Sequence, residues 1–212
     1  MVSPIPSNSK RGPRRLAWLT DKTIYNKAIP EATGISPGVR LAGEDARCFT
    51  IQSGRIMKGN PKVIAALQEA LREELMAINQ YFLHAEMCEN WHYHKLGGFI
   101  KKQSIDEMKH AEELIERVLF LDGTPSLTEP MKLTVGKDVR AQLQSDLQLE
   151  VSAVKLYNDA VKTSQEHGDN ASRELFERLL RDEEKHVDWL EAQLHQIEEI
   201  GYERYLSQQI KE

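Results

Sequence analysis

With 212 residues, 40% hydrophobic side chains and a mean hydropathy of −0.53, the chain can fill one good core and needs no second equal domain. No apolar run is long enough to cross a bilayer or to form the core of a secretory signal. The two cysteines, Cys48 and Cys88, form no CxxC pair, which argues against a disulfide scaffold or a thiolate metal site. The net charge of −5 is unevenly spread: residues 1–56 hold nine Lys and Arg against four Asp and Glu, leaving 19 basic and 29 acidic residues beyond them. An acidic remainder of that kind gathers cations and does not suit a nucleic-acid partner. A cytoplasmic protein with no membrane segment is the expectation.

In chain order, residues 1–56 are rich in Pro, Gly, Ser and Arg and show no sustained periodicity, so they are expected to carry no fold. An organelle-type leader, a functional basic tail and translation begun upstream of a true start at Met57 are the three explanations open for them. From Pro61 onward the apolar residues recur with a period of 3.6. The pattern predicts helices over about 61–92, 95–120, 138–167 and 171–198, with a short fifth piece near 202–210. Short loops at 93–97 and at His167-Gly168-Asp169-Asn170 close two hairpins, and Gly123, Pro125, Pro130 and Gly136 mark a long connection between them. Two antiparallel hairpins joined by one long crossover define an all-α four-helix bundle of the ferritin-like kind, here with a short fifth C-terminal helix.

An internal repeat locates a candidate site. At an offset of 76 residues Leu67, Leu71, Glu74, Ile78, Tyr81 and Ala85 become Leu143, Leu147, Glu150, Val154, Tyr157 and Val161. In the partner helices Asp106, Glu107, His110, Ala111 and Leu114 become Asp182, Glu183, His186, Val187 and Leu190. Glu74 and Glu150 thus fall inside apolar stripes, where a lone carboxylate costs several kcal/mol unless a cation or hydrogen bonds offset it. Glu107-x-x-His110 and Glu183-x-x-His186 each bring a carboxylate and an imidazole to one helix face. One Glu-x-x-His is ordinarily a surface pair; two in register, each 33 residues after a buried glutamate, form a pattern. The six side chains supply four carboxylates and two imidazoles, enough for two carboxylate-bridged ions. Hard oxygen with imidazole suits iron or manganese and also accepts zinc. Lys109 and Lys185 fall off that face and are expected in solvent, as are His92 and His94 at a helix end.

The segments 74–85, 104–111 and 180–191, with Glu74, Asp106-Glu107-Met108-Lys109-His110 and Asp182-Glu183-Glu184-Lys185-His186 at their centres, closely resemble bacterioferritin. The resemblance runs from Met57 nearly to the C-terminus and makes 57–212 a ferritin-like domain. It implies that Glu74, Glu107 and His110 hold one iron and Glu150, Glu183 and His186 the other, with Glu107 and Glu183 as bridges. It also implies that Tyr81, placed near Glu74 by its +7 spacing, is redox-active, and that Met108 is an axial ligand to a haem b shared between two subunits. On spacing alone, Tyr81 would be a core tyrosine and Met108 packing material. The resemblance further implies a homo-oligomeric shell of twenty-four subunits built from dimers, a C-terminal helix lining fourfold channels, and a small ferredoxin as reductant. One departure stands out: Lys102 occupies the place of an inner-surface histidine found in some relatives.

The function so implied is iron storage and detoxification, with Fe²⁺ oxidised by O₂ or H₂O₂ at a di-iron centre and stored as mineral. Two other readings fit the same fold and ligands: another di-metal oxidoreductase, such as a peroxidase or oxygenase, and a non-enzymatic metal-binding bundle.

Overall fold

The computed structural model describes residues 57–128 and 130–210. The proposed extension 1–56 therefore lies outside the described residues. Five helices follow in order: α1 (Pro61–Asn90), α2 (His94–Phe120), α3 (Val139–Glu166), α4 (Asn170–Ile200) and the short α5 (Tyr202–Ser207). Among the described residues there is no strand, and no helix is long and apolar enough to cross a membrane.

The helix starts follow from local chemistry. Asn60 accepts the Lys62 amide at 2.8 Å with Pro61 in the first turn, Asp138 accepts the Ala141 amide at 2.9 Å, and Asp169 accepts the Ser172 amide at 3.0 Å. Each such cap satisfies an otherwise orphaned amide and is worth about 1 kcal/mol. The ends depart slightly from the sequence expectation. α1 stops at Asn90, because His92 adopts a positive φ of 64°, and the first loop is 91–93 instead of 93–97. Gly97, the last residue of the expected loop, lies in α2 instead. A Cβ on Gly97 would lie 3.0 Å from Glu89 Oε1 and 3.2 Å from the Ala85 carbonyl, so glycine there serves the close approach of α2 to α1. α4 runs on to Ile200 and stops at Gly201, whose φ is 85°.

The pairing of residues gives the topology. Along the α1–α3 interface Glu74 meets Tyr157, Tyr81 meets Glu150, His84 meets Asp146 and Cys88 meets Gln142, so the two helices run antiparallel. α2 and α4 are antiparallel as well, through Phe99 stacked on Trp189 at 4.1 Å, Glu113 paired with Arg178, and Arg117 donating to Ser172 at 2.8 Å. Between α2 and α3 the crossover follows α1 along its length. Thr124 and Ser126 bond to Gln68, Met131 contacts Asn79, Thr134 bonds to Gln80 and Gly136 to His84. It must be long because it carries the chain back to the end of the bundle where α2 began.

The apolar core is in two pieces. One gathers Leu67, Leu71, Leu114, Val118, Tyr157, Phe176 and Leu179, and the other Tyr81, Leu96, Ile100, Leu143, Leu190, Ile197 and Tyr205. On every long helix a polar residue stands at the break: Glu74 between Leu71 and Ala77, Glu107 and His110 between Ile100 and Leu114, Glu150 between Leu143 and Ala153, Glu183 and His186 between Leu179 and Leu190.

Candidate metal centre

All six predicted residues meet in this polar layer. Glu74, Glu107, Glu150 and Glu183 are at most 3% exposed, and His110 and His186 are 6% and 8% exposed. They form two overlapping groups able to hold a metal ion: Glu74, Glu107, His110 and Glu183, and Glu107, Glu150, Glu183 and His186. Within each group the donor atoms lie within 4.8 Å of one another. Both imidazoles turn Nδ1 inward. His110 Nδ1 lies 2.8 Å from Glu107 Oε2, 3.2 Å from Glu183 Oε1 and 3.5 Å from Glu74 Oε2. His186 Nδ1 lies 3.0 Å from Glu107 Oε1, 3.1 Å from Glu183 Oε2 and 3.8 Å from Glu150 Oε2. Glu107 and Glu183 therefore offer one oxygen to each side, and Glu74 and Glu150 serve one side each.

The donors suit ions better than they suit one another. Both Glu107 oxygens, His110 Nδ1 and Glu183 Oε1 are buried without a well-formed hydrogen bond, although neighbours lie near, because they aim at shared points between the helices. Four ionised carboxylates around two neutral imidazoles carry four negative charges, which two divalent ions balance. Without ions the layer holds protons instead. Burial first, and then the charges of Glu183 and Glu107, push the Glu74 carboxyl well up, and burial likewise raises Glu150. Burial opposes the charged imidazoles, yet the glutamate oxygens crowded around each ring nitrogen overcome it, raising His110 strongly and His186 to about 12. Against its burial, Glu107 is held down to about 2 by His110 and His186.

Tyr81 does not approach Glu74 as its spacing suggested. Two turns separate them along α1, about 10 Å of rise. Its hydroxyl donates to Glu150 on α3, and Tyr157 on α3 donates to Glu74 on α1. Burial and the nearby carboxylates push both phenols well above their ordinary range.

A groove of about 560 Å³ between α2 and α4 opens over the imidazole edges of His110 and His186. Lys102 and Lys109 donate to the two oxygens of Asp106 at 2.8 and 2.6 Å, and Lys185 donates to Asp182 at 2.6 Å. Burial notwithstanding, the two lysines hold the Asp106 carboxyl below its ordinary range. Lys109 and Lys185 are exposed as expected, and His94, its side chain 39% exposed, pairs with Glu89 at 2.6 Å.

The ferritin-like domain family matches residues 64–200. The bacterioferritin of Mycolicibacterium paratuberculosis is 40% identical over 152 residues, 72% of this chain and 96% of that protein. The chain belongs to the bacterioferritins. Bacterioferritins from Brucella melitensis (43% over 149 residues, 70% of this chain and 92% of that one) and Streptomyces coelicolor (40% over 156 residues, 74% and 93%) are similarly close. On this bacterioferritin fold Met108 points away from the glutamate–histidine layer and is 54% exposed, with Ile105 beside it on the same flank of α2.

A second buried polar group escaped the sequence reading. His84 Nδ1 lies 2.9 Å from Asp146 Oδ1, Gln80 donates to the same oxygen at 2.8 Å, and His84 Nε2 accepts the Gly136 amide at 3.1 Å. Since Nε2 accepts, the proton of the neutral ring sits on Nδ1 and is donated to Asp146. The repeat itself carried a signal for this group, because it breaks there: Gln80, His84 and Asp146 correspond to Leu156, Ala160 and Ala70.

Proposed function

We propose that the protein oxidises and stores iron. Two Fe²⁺ are its substrates, held by Glu74, Glu107 and His110 on one side and by Glu150, Glu183 and His186 on the other, with Glu107 and Glu183 shared. The observation that carries this reading is the division of the Glu107 and Glu183 oxygens between the same two imidazoles, which is what a pair of adjacent ions requires. Anionic oxygen favours Fe³⁺ over Fe²⁺, so the four carboxylates make oxidation easier. Each Fe²⁺ gives one electron to the oxidant: O₂ with two protons becomes H₂O₂, and H₂O₂ with two protons becomes two waters. Glu74, Glu150, His110 and His186 hold protons in the metal-free centre and give them up as ions enter. The groove between α2 and α4 gives the oxidised iron a way out toward a storage cavity, and Tyr81 supplies an electron when the oxidant needs more than the two irons give.

The wider assembly follows from bacterioferritin membership in the same way. Copies of the chain form dimers and then a shell of twenty-four around the mineral. Met108 on its exposed apolar flank is the residue that would hold a haem b together with the same residue of a second copy, and that group would supply electrons for iron release. A small ferredoxin is the proposed donor. With both Asp106 oxygens taken by lysines, an inner-surface iron site at that aspartate is not part of the proposal.

Addition of two Fe²⁺ per chain to metal-free protein, with O₂ uptake and ferric absorbance recorded, tests the reading. Rapid oxidation that Glu107→Ala abolishes is the expected result. Oxidation no faster than in buffer would leave a metal-binding bundle without ferroxidase activity.

A further inference from the structure

The hydroxyls of Tyr81 and Tyr157 are exchanged between the two halves of the bundle. Tyr81 reaches from α1 to Glu150, the carboxylate on the His186 side, and Tyr157 reaches from α3 to Glu74, the carboxylate on the His110 side. Both rings are buried, at 2% and 0% exposure, so both phenols are shielded from bulk solvent. Among the described residues, each hydroxyl donates to one carboxylate, Glu150 for Tyr81 and Glu74 for Tyr157. The Tyr157 ring packs against Phe176 with centroids 6.0 Å apart, a contact that phenylalanine would make equally well. What the hydroxyl adds is a proton held on a carboxylate of the oxidising site.

A phenol gives up an electron far more readily when its proton moves at the same time to a base already hydrogen-bonded to it, because no high-energy radical cation is formed. That arrangement occurs here twice, once at each metal position. We propose that Tyr157 is a second electron donor, equivalent to Tyr81, so that one encounter with O₂ takes four electrons from a single chain. The proposal rests on the ferroxidase reading above. The balance is two Fe²⁺, two tyrosines, one O₂ and two protons from solvent, giving two Fe³⁺, two neutral tyrosyl radicals and two waters. At each tyrosine the O–H bond breaks, the proton passes to Glu150 or Glu74, and the electron goes to the oxidant. The two carboxylate-held protons complete the four that two waters need. Later Fe²⁺ ions reduce the radicals again, each supplying one electron while one proton taken up from solvent re-forms the phenol O–H.

The experiment is rapid-freeze electron paramagnetic resonance after mixing Fe²⁺-loaded protein with O₂, alongside a peroxide assay, for wild type, Tyr81→Phe, Tyr157→Phe and the double variant. Co²⁺ binding and circular dichroism check that each variant retains the centre. Each single variant is expected to retain about half the wild-type radical, since the two donors sit on separate carboxylates and act independently. The double variant should show no such radical and release the most H₂O₂. Should Tyr157→Phe not fold, Tyr81→Phe decides alone, because a radical must persist in it. Normal Fe²⁺ oxidation with wild-type radical yield in Tyr157→Phe, or with no radical in Tyr81→Phe, would overturn this proposal and leave the ferroxidase reading intact. No Fe²⁺ oxidation in the wild type would overturn both.

Discussion

Glu107 and Glu183 face each other across the bundle and divide their oxygens between the same two imidazoles. A shared carboxylate and a one-sided carboxylate should then behave differently on removal. Glu107→Ala takes an oxygen from both positions and is expected to weaken both ions by about 100-fold or more, the scale on which loss of a supporting group is already felt. Glu74→Ala strips only the position beside His110, so one tight ion should remain. Co²⁺ titration followed by visible absorbance counts them: two for wild type, one for Glu74→Ala and none tight for Glu107→Ala. Equal stoichiometry in the two variants would refute the shared arrangement.

The protons stored in the metal-free layer fix the sign of its pH dependence. His186 rises from 6.5 to about 12 on folding, and His110, Glu74 and Glu150 move the same way. A group raised by folding stabilises the fold fully below its ordinary pKa and loses that contribution as pH climbs toward the raised value. Glu107, lowered from 4.5 to about 2, acts oppositely, and its contribution is lost only as pH falls through that range. Above 6.5 the raised groups govern, so the Tm of metal-free protein should fall with rising pH while that of Co²⁺-loaded protein holds. Calorimetry in buffers of different ionisation enthalpy should show protons released on Co²⁺ binding and affinity rising with pH. Binding without proton release would contradict this picture.

Asp146 accepts from both Gln80 and His84 and is 1% exposed. Asp146→Ala leaves two buried polar side chains without their acceptor and is expected to cost about 2–4 kcal/mol, the range for breaking a buried polar network. Because His84 and Gln80 in turn hold Gly136 and Thr134, the amides of the crossover should lose hydrogen-exchange protection. A drop in Tm with unchanged protection at Thr134 and Gly136 would show that the network does not anchor the crossover.

Gly136 gives a steric version of the same test. A Cβ there would fall 2.2 Å from the Gln142 amide nitrogen, a backbone atom that cannot swing aside. Gly136→Ala is expected to destabilise by about 1–3 kcal/mol, as overpacking does. Gly98→Ala, where a Cβ meets nothing within 4 Å, is the control and should leave the Tm level or higher. Equal melting temperatures for the two variants would mean the crossover is looser than its contacts imply.

The clustering of the six candidate ligands was legible because the repeat wrote them twice and because a carboxylate in an apolar stripe needs a compensating charge. The four long helices were legible from periodicity, and their ends were not: the Trp91-His92-Tyr93 turn carries no glycine or proline, while Gly97, which looks like a turn residue, sits in α2 where it packs closely on α1. The tyrosine partners could not be read from spacing along one helix, since the exchange between Tyr81 and Tyr157 depends on α1 and α3 lying antiparallel. The path of the crossover has no periodic signature at all. Its anchors, Gln80, His84 and Asp146, show in the sequence only as positions where the repeat fails.

The most direct test of the paired centre is an anomalous-difference X-ray map from crystals soaked anaerobically in Fe²⁺. Two peaks about 3.5–4 Å apart, both between Glu107 and Glu183 with His110 and His186 at opposite ends, are the expected result for a two-metal site. A single peak, or iron confined to surface carboxylates such as Asp106 and Asp182 while the layer stays empty, would contradict it.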